Sequence, residues 1–239
     1  MTIVARVLTL VGVPFFLCAP VHALTGADLA DLTVQRYTVS IHNGKSRCTG
    51  VVIAQNIVLT AAHCVGGNDL LWIAGDPGWG SLTTPPVILS HVSEVIQHPR
   101  YDSHLSGSPD LAILKLGRPL PDRFTPVFLD PRLPGNGDDL IAAGYGMGSD
   151  KDPKAGTILR MVLQRVSMRY STYLTLTSVS AADSAGAAPG DSGGPVFTYR
   201  GMYALVAIMV GHSSRYTMAV TIASNYEWIK DTIAKLGGS

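Results

Sequence analysis

A short glycine-rich segment contains the residue best suited to nucleophilic chemistry. It reads Gly190-Asp191-Ser192-Gly193-Gly194-Pro195, with a single serine among the glycines. Glycines at such a turn let a hydroxyl project and let backbone N–H groups approach a ligand that side chains would obstruct. A serine hydroxyl is a weak nucleophile at neutral pH, so nucleophilic catalysis also needs a base that takes its proton. Glycines are common in turns, so this segment alone does not indicate catalysis. The prediction depends on partner residues elsewhere in the chain.

Two other segments supply a base and a carboxylate. Thr60-Ala61-Ala62-His63-Cys64 places a histidine beside a cysteine, and Ser108-Pro109-Asp110 places an aspartate ahead of the apolar run Leu111 to Leu116. A buried carboxylate at the start of a strand needs a polar partner. Each residue alone would be read as structural. Together with Ser192 they indicate a histidine base that is oriented by a carboxylate.

In these three motifs the chain resembles the chymotrypsin/trypsin-like serine proteases, specifically the bacterial type of secreted member, from about Leu24 to the end. The order His63, Asp110, Ser192 is the order of that family. The α/β-hydrolases run Ser, Asp, His and the subtilisins Asp, His, Ser, so the order separates three unrelated folds. Other similar stretches are Tyr37-Thr38-Val39-Ser40-Ile41, Gly144-Tyr145-Gly146 and Trp228-Ile229-Lys230.

The resemblance implies hydrolysis of peptide bonds through an acyl-enzyme. His63 would take the proton of Ser192 as general base, and Asp110 would hold the imidazole in the useful tautomer. The backbone N–H groups of Gly190 and Ser192 would form an oxyanion hole, in which each donor contributes about 3 kcal/mol. We therefore expect a serine endopeptidase that acts on proteins or peptides and uses neither a cofactor nor a metal ion.

One wall of the pocket for the substrate side chain departs from the family pattern. Many members carry an acid six residues before the nucleophile, and here that position is Gly186, followed by Ala187. This small, uncharged wall predicts a preference for an apolar or small side chain. A three-residue insertion would instead bring Asp183 to the base of the pocket and restore a preference for Lys or Arg.

The opposite wall is also unusual, because Val210-Gly211-His212 stands where the family commonly has Ser-Trp-Gly. In this register Gly211 replaces the aromatic wall, and His212 or Met218 could intrude into the pocket. A histidine there would favour an acidic substrate side chain. The alternative is that His212 is a loop residue.

The first 23 residues have the form of a secretory signal peptide. Arg6 precedes the apolar run Val7 to Ala19, and Val21-His22-Ala23 carries small residues at the positions typical of a cleavage site. The alternative is a membrane anchor, which needs about 20 residues to span a bilayer. This run has 13 and contains Pro14. We therefore expect a secreted or periplasmic protein that begins at Leu24.

The new N-terminus and Asp191 form a second expected pair. In the family, the residue before the nucleophile binds the ammonium group of the N-terminus, and this ion pair shapes the oxyanion hole. Counting back from Tyr37 without gaps puts Leu24 at that N-terminus. The alternative is that Asp191 only caps a turn. If the pair forms, removal of the signal peptide alone would yield the active enzyme.

The cysteines follow from the same cleavage. Removal of the leader discards Cys18 and leaves Cys48 and Cys64. In an exported protein these two are expected to form a disulfide, which would fix the backbone that carries His63. The alternative, a pair of buried free thiols, requires a reducing compartment.

The rest of the chain must supply the strands that hold these residues. Short apolar runs separated by turn signals such as Asn43-Gly44 and Gly66-Gly67 predict an all-β fold of two packed antiparallel barrels, and the family resemblance makes each barrel six-stranded. The Pro-rich stretch 119–134 would be the crossing between a barrel at about 24–125 and one at about 135–224. Helical spacing is confined to about 225–236, which predicts a C-terminal α-helix.

Composition limits the class of partner. The formal net charge is +1, from 18 Lys and Arg against 17 Asp and Glu, so a nucleic-acid or polybasic membrane partner is a poor expectation. A hydrophobic fraction of 46% excludes a disordered chain. After signal removal we expect no membrane partner and, by analogy with the family, a monomer. A protease-like binding module without turnover is the rival function, because the pocket wall is altered.

The expected N-terminus can be tested directly. Mass-spectrometric or Edman sequencing of the active, exported protein should give Leu24 as the first residue, because cleavage after Ala23 creates the N-terminus that Asp191 would bind. An active species that begins at any other residue contradicts this activation route.

Overall fold

Strands dominate the computed structural model, which describes residues 28–44, 46–66, 71–75, 87–146, 157–179, 187–213 and 215–238. The expected signal peptide, Leu24, Asp183 and Gly186 lie outside the described residues. In chain order the elements are β1 (Asp28–Leu29), α1 (Leu32–Tyr37), β2 (Thr38–His42), β3 (Arg47–Ala54), β4 (Ile57–Thr60), a 3-10 turn (Ala62–Val65), β5 (Trp72–Gly75), β6 (Val87–Gln97), β7 (Ala112–Leu116), β8 (Phe128–Leu129), β9 (Asp139–Gly144), β10 (Arg160–Arg169), β11 (Tyr173–Ser178), β12 (Pro195–Tyr199), β13 (Tyr203–His212), β14 (Thr217–Thr221), a second 3-10 turn (Ala223–Asn225) and α2 (Tyr226–Lys235).

The first barrel closes in the strand order β2-β3-β4-β7-β6-β5, because β5 pairs with β2 as well as with β6. Strand β3 is buried along nearly its whole length. Its side chains alternate between two surroundings, as the two-residue period of a strand requires. Val52 packs inside the first barrel, whereas Val51 and Ile53 pack in a cluster that also contains Phe197 and Ile208 of the second barrel. Strand β3 therefore forms part of the seam between the barrels.

The second barrel closes in the order β9-β10-β11-β14-β13-β12, because β9 pairs with both β10 and β12. All of these pairs are antiparallel. Strand β1 extends the edge of β10, and β8 lies parallel to β13. The predicted fold class, two packed six-stranded antiparallel barrels with a C-terminal helix, is confirmed.

Helices contribute little to the fold, but the C-terminal one joins the two halves. In α2 the side chain of Ile229 is buried, and the Trp228 ring packs edge-on against the His98 ring of the first barrel at 4.5 Å. Helix α1 was not predicted; it has six residues and a single buried side chain, Val34. Asp31 caps it by accepting hydrogen bonds from two backbone N–H groups. None of the helices in the described ranges is long and apolar enough to cross a membrane.

The predicted disulfide between Cys48 and Cys64 is confirmed, with an S–S distance of 2.01 Å. It joins β3 to the 3-10 turn that follows β4. The cysteines are 16 positions apart, and closing a loop of that size stabilises a fold by about 3 kcal/mol in the chain-entropy model. The bridge therefore anchors the turn that carries His63 to the strand at the seam.

Candidate active site

Strand pairing brings His63 and Asp110 together. His63 lies in the 3-10 turn just after β4, and Asp110 lies just before β7. Strands β4 and β7 are neighbours, with Thr60 opposite Ala112 at the relevant ends. Residues that are 47 positions apart in the chain therefore emerge side by side.

Both oxygens of the Asp110 carboxylate contact His63. The imidazole Nδ1 lies 2.6 Å from Oδ2, and the backbone N–H of His63 donates to Oδ1 at 2.9 Å. A carboxylate accepts hydrogen bonds, so the neutral ring must carry its proton on Nδ1 and leave Nε2 as the acceptor. The aspartate side chain is 16% exposed and that of the histidine 38% exposed. The arrangement is that of an oriented base which solvent and a ligand can reach.

The glycine-rich segment folds as two successive tight turns that project Ser192. The N–H of Asp191 donates to the carbonyl of Ala188 at 2.9 Å, and the N–H of Gly194 donates to the carbonyl of Asp191 at 2.9 Å. The third residue of each turn, Gly190 and then Gly193, has a positive φ, of 102° and 82° respectively. Such angles at that position favour glycine, which explains the spacing of the motif.

Gly193 also satisfies a packing requirement. A Cβ atom there would collide with the Thr49 carbonyl oxygen and with the Thr60 hydroxyl. Both of these residues belong to the first barrel, whereas the segment leads into β12 of the second. The missing side chain thus lets the serine turn lie directly against the barrel that carries the histidine.

Ser192 and His63 come together around the disulfide. The Thr49 N–H donates to the Ser192 carbonyl oxygen at 2.8 Å. The Cys64 sulfur lies 3.7 Å from that oxygen and 3.8 Å from the His63 Nε2 atom. Ser192 itself is partly exposed. Among the hydrogen bonds between described residues, the N–H groups of Gly190 and Ser192 take part in none.

Asp191 is fully buried, and its carboxylate lies among loops of the second barrel. Its carboxylate accepts the Gly146 N–H at 2.7 Å and the Ala188 N–H at 2.8 Å. A Cβ atom on Gly144 or Gly146 would collide with this carboxylate, which explains the two glycines of Gly144-Tyr145-Gly146. Burial raises the pKa of Asp191 to about 6, although both hydrogen bonds act to lower it. Pairing with Leu24 stays a prediction, because Leu24 lies outside the described residues.

The pocket walls are only partly as the sequence suggested. The Thr217 hydroxyl accepts the Ala187 N–H at 3.0 Å and a Gln164 side-chain N–H at 3.2 Å, and Thr217 and Gln164 are fully buried. His212 is the last residue of β13 and lies opposite Thr217 in the sheet, so it is not a loop residue. Sequence reasoning missed Thr217, because a threonine in a strand carries no signal of its own.

Met218 lines a different space from Ala187. Adjacent strand residues point to opposite faces, so Met218 faces away from the Thr217 contacts. It lines a cavity of about 360 Å³ beside the histidine, whereas its strand partner Gly211 does not. The residues that line this cavity are His63, Tyr101, Asp102, Ser103, Leu105, Ser106, Gly107, Ser108, Asp110, Tyr173, Val210, Met218 and Val220.

Comparisons with known proteins agree with this geometry. A family model described as trypsin matches residues 25–229. The chain belongs to the trypsin family. Rat granzyme M is 31% identical to this trypsin-family chain over 224 residues, which cover 83% of the chain and 84% of granzyme M. Mouse kallikrein 1-related peptidase b21 is 27% identical, with 79% of the chain and 80% of the relative covered.

A solved structure supports the fold of this trypsin-family chain. Neuropsin, a serine protease expressed in the limbic system of mouse brain, superposes with a TM-score of 0.69 at 22% identity, covering 87% of this chain and 98% of neuropsin. Membership of the family makes the chain a serine-type endopeptidase. The relatives named here are rodent proteins, so the bacterial-type qualifier expected from the sequence is not supported.

The buried carboxylate gives a pH prediction. The pKa of Asp191 in the fold, about 6, exceeds the value of about 3.9 in an unfolded chain, so the folded state binds this proton more tightly. The contribution of this proton to the free energy of unfolding is complete below about pH 4 and is lost as the pH rises through about 6. Denaturant unfolding of a Ser192→Ala protein that begins at Ala23 should show this loss. The same protein beginning at Leu24 should lose less, because its ammonium would lower the pKa of Asp191.

Both forms contain the same titrating side chains, so the difference between them isolates the new N-terminus. An identical pH dependence of the free energy of unfolding in the two forms would contradict the Leu24–Asp191 pair.

Proposed function

We propose that this trypsin-family enzyme is exported and cleaves peptide bonds through His63, Asp110 and Ser192. The observation that supports this most directly is the 2.6 Å contact between His63 Nδ1 and Asp110 Oδ2, beside a serine turn that is hydrogen-bonded to the same barrel. An oriented imidazole beside a partly exposed serine is the arrangement that acyl transfer requires.

In the proposed reaction the Ser192 hydroxyl oxygen forms a bond to the substrate carbonyl carbon while His63 Nε2 takes the hydroxyl proton. Asp110 stabilises the imidazolium. The carbonyl oxygen becomes an oxyanion that accepts from the N–H groups of Gly190 and Ser192. The C–N bond then breaks as His63 returns the proton to the leaving amine. Water, activated by the same imidazole, hydrolyses the acyl-enzyme and restores Ser192.

The contacts of Thr217 support a small substrate side chain before the cut bond. The Thr217 side chain is fixed beside Ala187 by two hydrogen bonds, and it therefore occupies space that a long side chain would need. Ala187 and Thr217 are both uncharged, which agrees with a preference for small or apolar substrate side chains. The alternative of a basic preference depends on Asp183, which lies outside the described residues.

The cavity beside His63 supports a second apolar contact with the substrate. Met218, Val210 and Val220 form one side of it, and Tyr101 and Tyr173 contribute aromatic rings. We propose that an apolar side chain of the peptide, other than the one next to the cut bond, enters this cavity. Protein or peptide substrates follow from the family, and a monomeric state stays a prediction.

The triad assignment is tested by Ser192→Ala. A fluorophosphonate probe should label the processed wild-type protein, and a diverse peptide library should be cleaved by it. Ser192→Ala should lose both activities, with cleavage falling by roughly 10⁶-fold. The matched control is Ser93→Ala, which removes an exposed hydroxyl from β6 and should keep full labelling. Correctly folded wild-type protein that is neither labelled nor active would favour the rival binding module.

The pocket assignment is tested by Thr217→Ser, which keeps the hydroxyl and removes one methyl group. The ratio of kcat/KM for a Leu substrate to that for an Ala substrate should rise by about 10-fold or more, as expected for one methyl group in a tight pocket. Thr221→Ser is the matched control, because Thr221 is equally buried in the same strand but contacts Ser171 and Ser224. An unchanged ratio in Thr217→Ser would remove Thr217 from the pocket.

A further inference from the structure

One residue of the first barrel, Thr49, binds the carbonyl oxygens of both residues expected to form the oxyanion hole. Its backbone N–H donates to Ser192 O at 2.8 Å, and its hydroxyl lies 2.8 Å from Gly190 O. Thr49 is fully buried in β3 at the seam between the barrels. It is joined to Gly190 across 141 positions of the chain.

The direction of the hydroxyl hydrogen bond follows from its surroundings. The N–H of Tyr145 donates to the Thr49 Oγ1 atom at 2.9 Å. The hydroxyl oxygen is therefore an acceptor there, and its single proton is free for another partner. A carbonyl oxygen can only accept, so the proton goes to Gly190. The Thr49 hydroxyl in β3 therefore accepts a hydrogen bond from the residue after β9 and donates one to the serine turn.

Thr49 is itself held in place. Its carbonyl oxygen accepts the Thr60 hydroxyl at 2.8 Å, and Thr60 ends the strand that leads into the His63 turn. The next residue after Tyr145, Gly146, donates to the Asp191 carboxylate. The hydroxyl of Thr49 thus lies where the base-carrying strand, the Asp191 site and the serine turn meet.

Gly190 needs such an anchor more than other residues would. Its φ of 102° is open to glycine, but glycine also populates negative φ values readily. The turn hydrogen bond from the Asp191 N–H to the Ala188 carbonyl oxygen holds one end of the Gly190–Asp191 peptide unit. A hydrogen bond to the Gly190 carbonyl oxygen restricts the same peptide unit. The N–H of Gly190 lies in the preceding peptide unit. Holding the Gly190–Asp191 unit leaves fewer rotations by which that N–H can turn away from Ser192.

We propose that Thr49 is a positioning residue for the oxyanion hole. Its hydroxyl fixes Gly190 so that the Gly190 N–H meets the substrate oxygen as that oxygen gains charge. The proposal rests on the proposed function. Because the charge develops only in the transition state, loss of the hydroxyl should lower kcat far more than it raises KM.

The test compares Thr49→Val, which keeps the side-chain shape, with Thr49→Ser, which keeps the hydroxyl. Thr49→Val should lower kcat by about 10- to 100-fold. This is less than the roughly 100- to 1000-fold cost of removing an oxyanion donor, because the Gly190 N–H would be misplaced and not removed. Its KM should stay within about threefold of the wild-type value. Thr49→Ser should retain kcat within about threefold. A peptide boronate or aldehyde, which forms a tetrahedral adduct on Ser192, should bind Thr49→Val more weakly by the same factor as the loss in kcat/KM.

The matched control is Thr38→Val. Thr38 is another fully buried threonine of the first barrel, and its hydroxyl donates to the Val34 carbonyl oxygen at 2.9 Å, away from the site. Thermal unfolding followed by circular dichroism should show that both valine variants lose stability, whereas only Thr49→Val should lose kcat. If Thr49→Val does not fold, Thr49→Ala replaces it in the same comparison.

The outcomes are distinguishable. An unchanged kcat in a folded Thr49→Val or Thr49→Ala protein overturns the proposal, and so does an equal loss in Thr49→Ser, which would assign the effect to packing. A parallel rise in KM with little change in kcat also overturns it. Failure of the fluorophosphonate probe to label the wild-type protein would instead overturn the proposed function.

Discussion

The site depends first on the hydrogen bond between the Thr49 N–H and the Ser192 carbonyl oxygen, because the base and the nucleophile come from different barrels. Within the first barrel, pairing of β4 with β7 is enough to align His63 with Asp110. Among the described strands, no pairing aligns Ser192 with His63 in this way. Its distance from the histidine is set by how closely the serine turn lies against β3, and that approach is possible because Gly193 has no side chain.

A second constraint is the burial of the Asp191 carboxylate. A buried charge is costly unless it is paired and hydrogen-bonded, and here two backbone N–H groups supply part of the compensation. The raised pKa shows that they do not supply all of it. The loop at Gly146 and the turn at Ala188 are therefore held around one carboxylate. Any cation or proton that satisfies this charge acts at the residue directly before Ser192.

The sequence predicted the parts of the site that are encoded locally. Cys64 neighbours His63, and Asp191 neighbours Ser192, so each motif is legible in a few residues. The barrels were predictable because turn signals separate the strands. Helix α1 was not, since six residues with one buried side chain show no periodicity. The hydrogen bonds of Thr49 and Thr217 could not be predicted, because their partners lie far away in the chain. The loop alternative for His212 was wrong, because β13 continues past the register shift near Gly211 and pairs His212 with Thr217.

The glycines around Asp191 and Gly193 also bear on how this sequence can change over evolutionary time. At Gly144, Gly146 and Gly193 any replacement adds a Cβ atom that collides with a fixed group. Substitution at these positions is therefore disfavoured whatever the substrate. Ala187 and Thr217, which we propose as a wall of the substrate pocket, are restricted by the hydrogen bonds of the Thr217 hydroxyl. Substrate specificity can therefore change by substitution of one wall residue at a time, while the sequence of the catalytic turn stays the same.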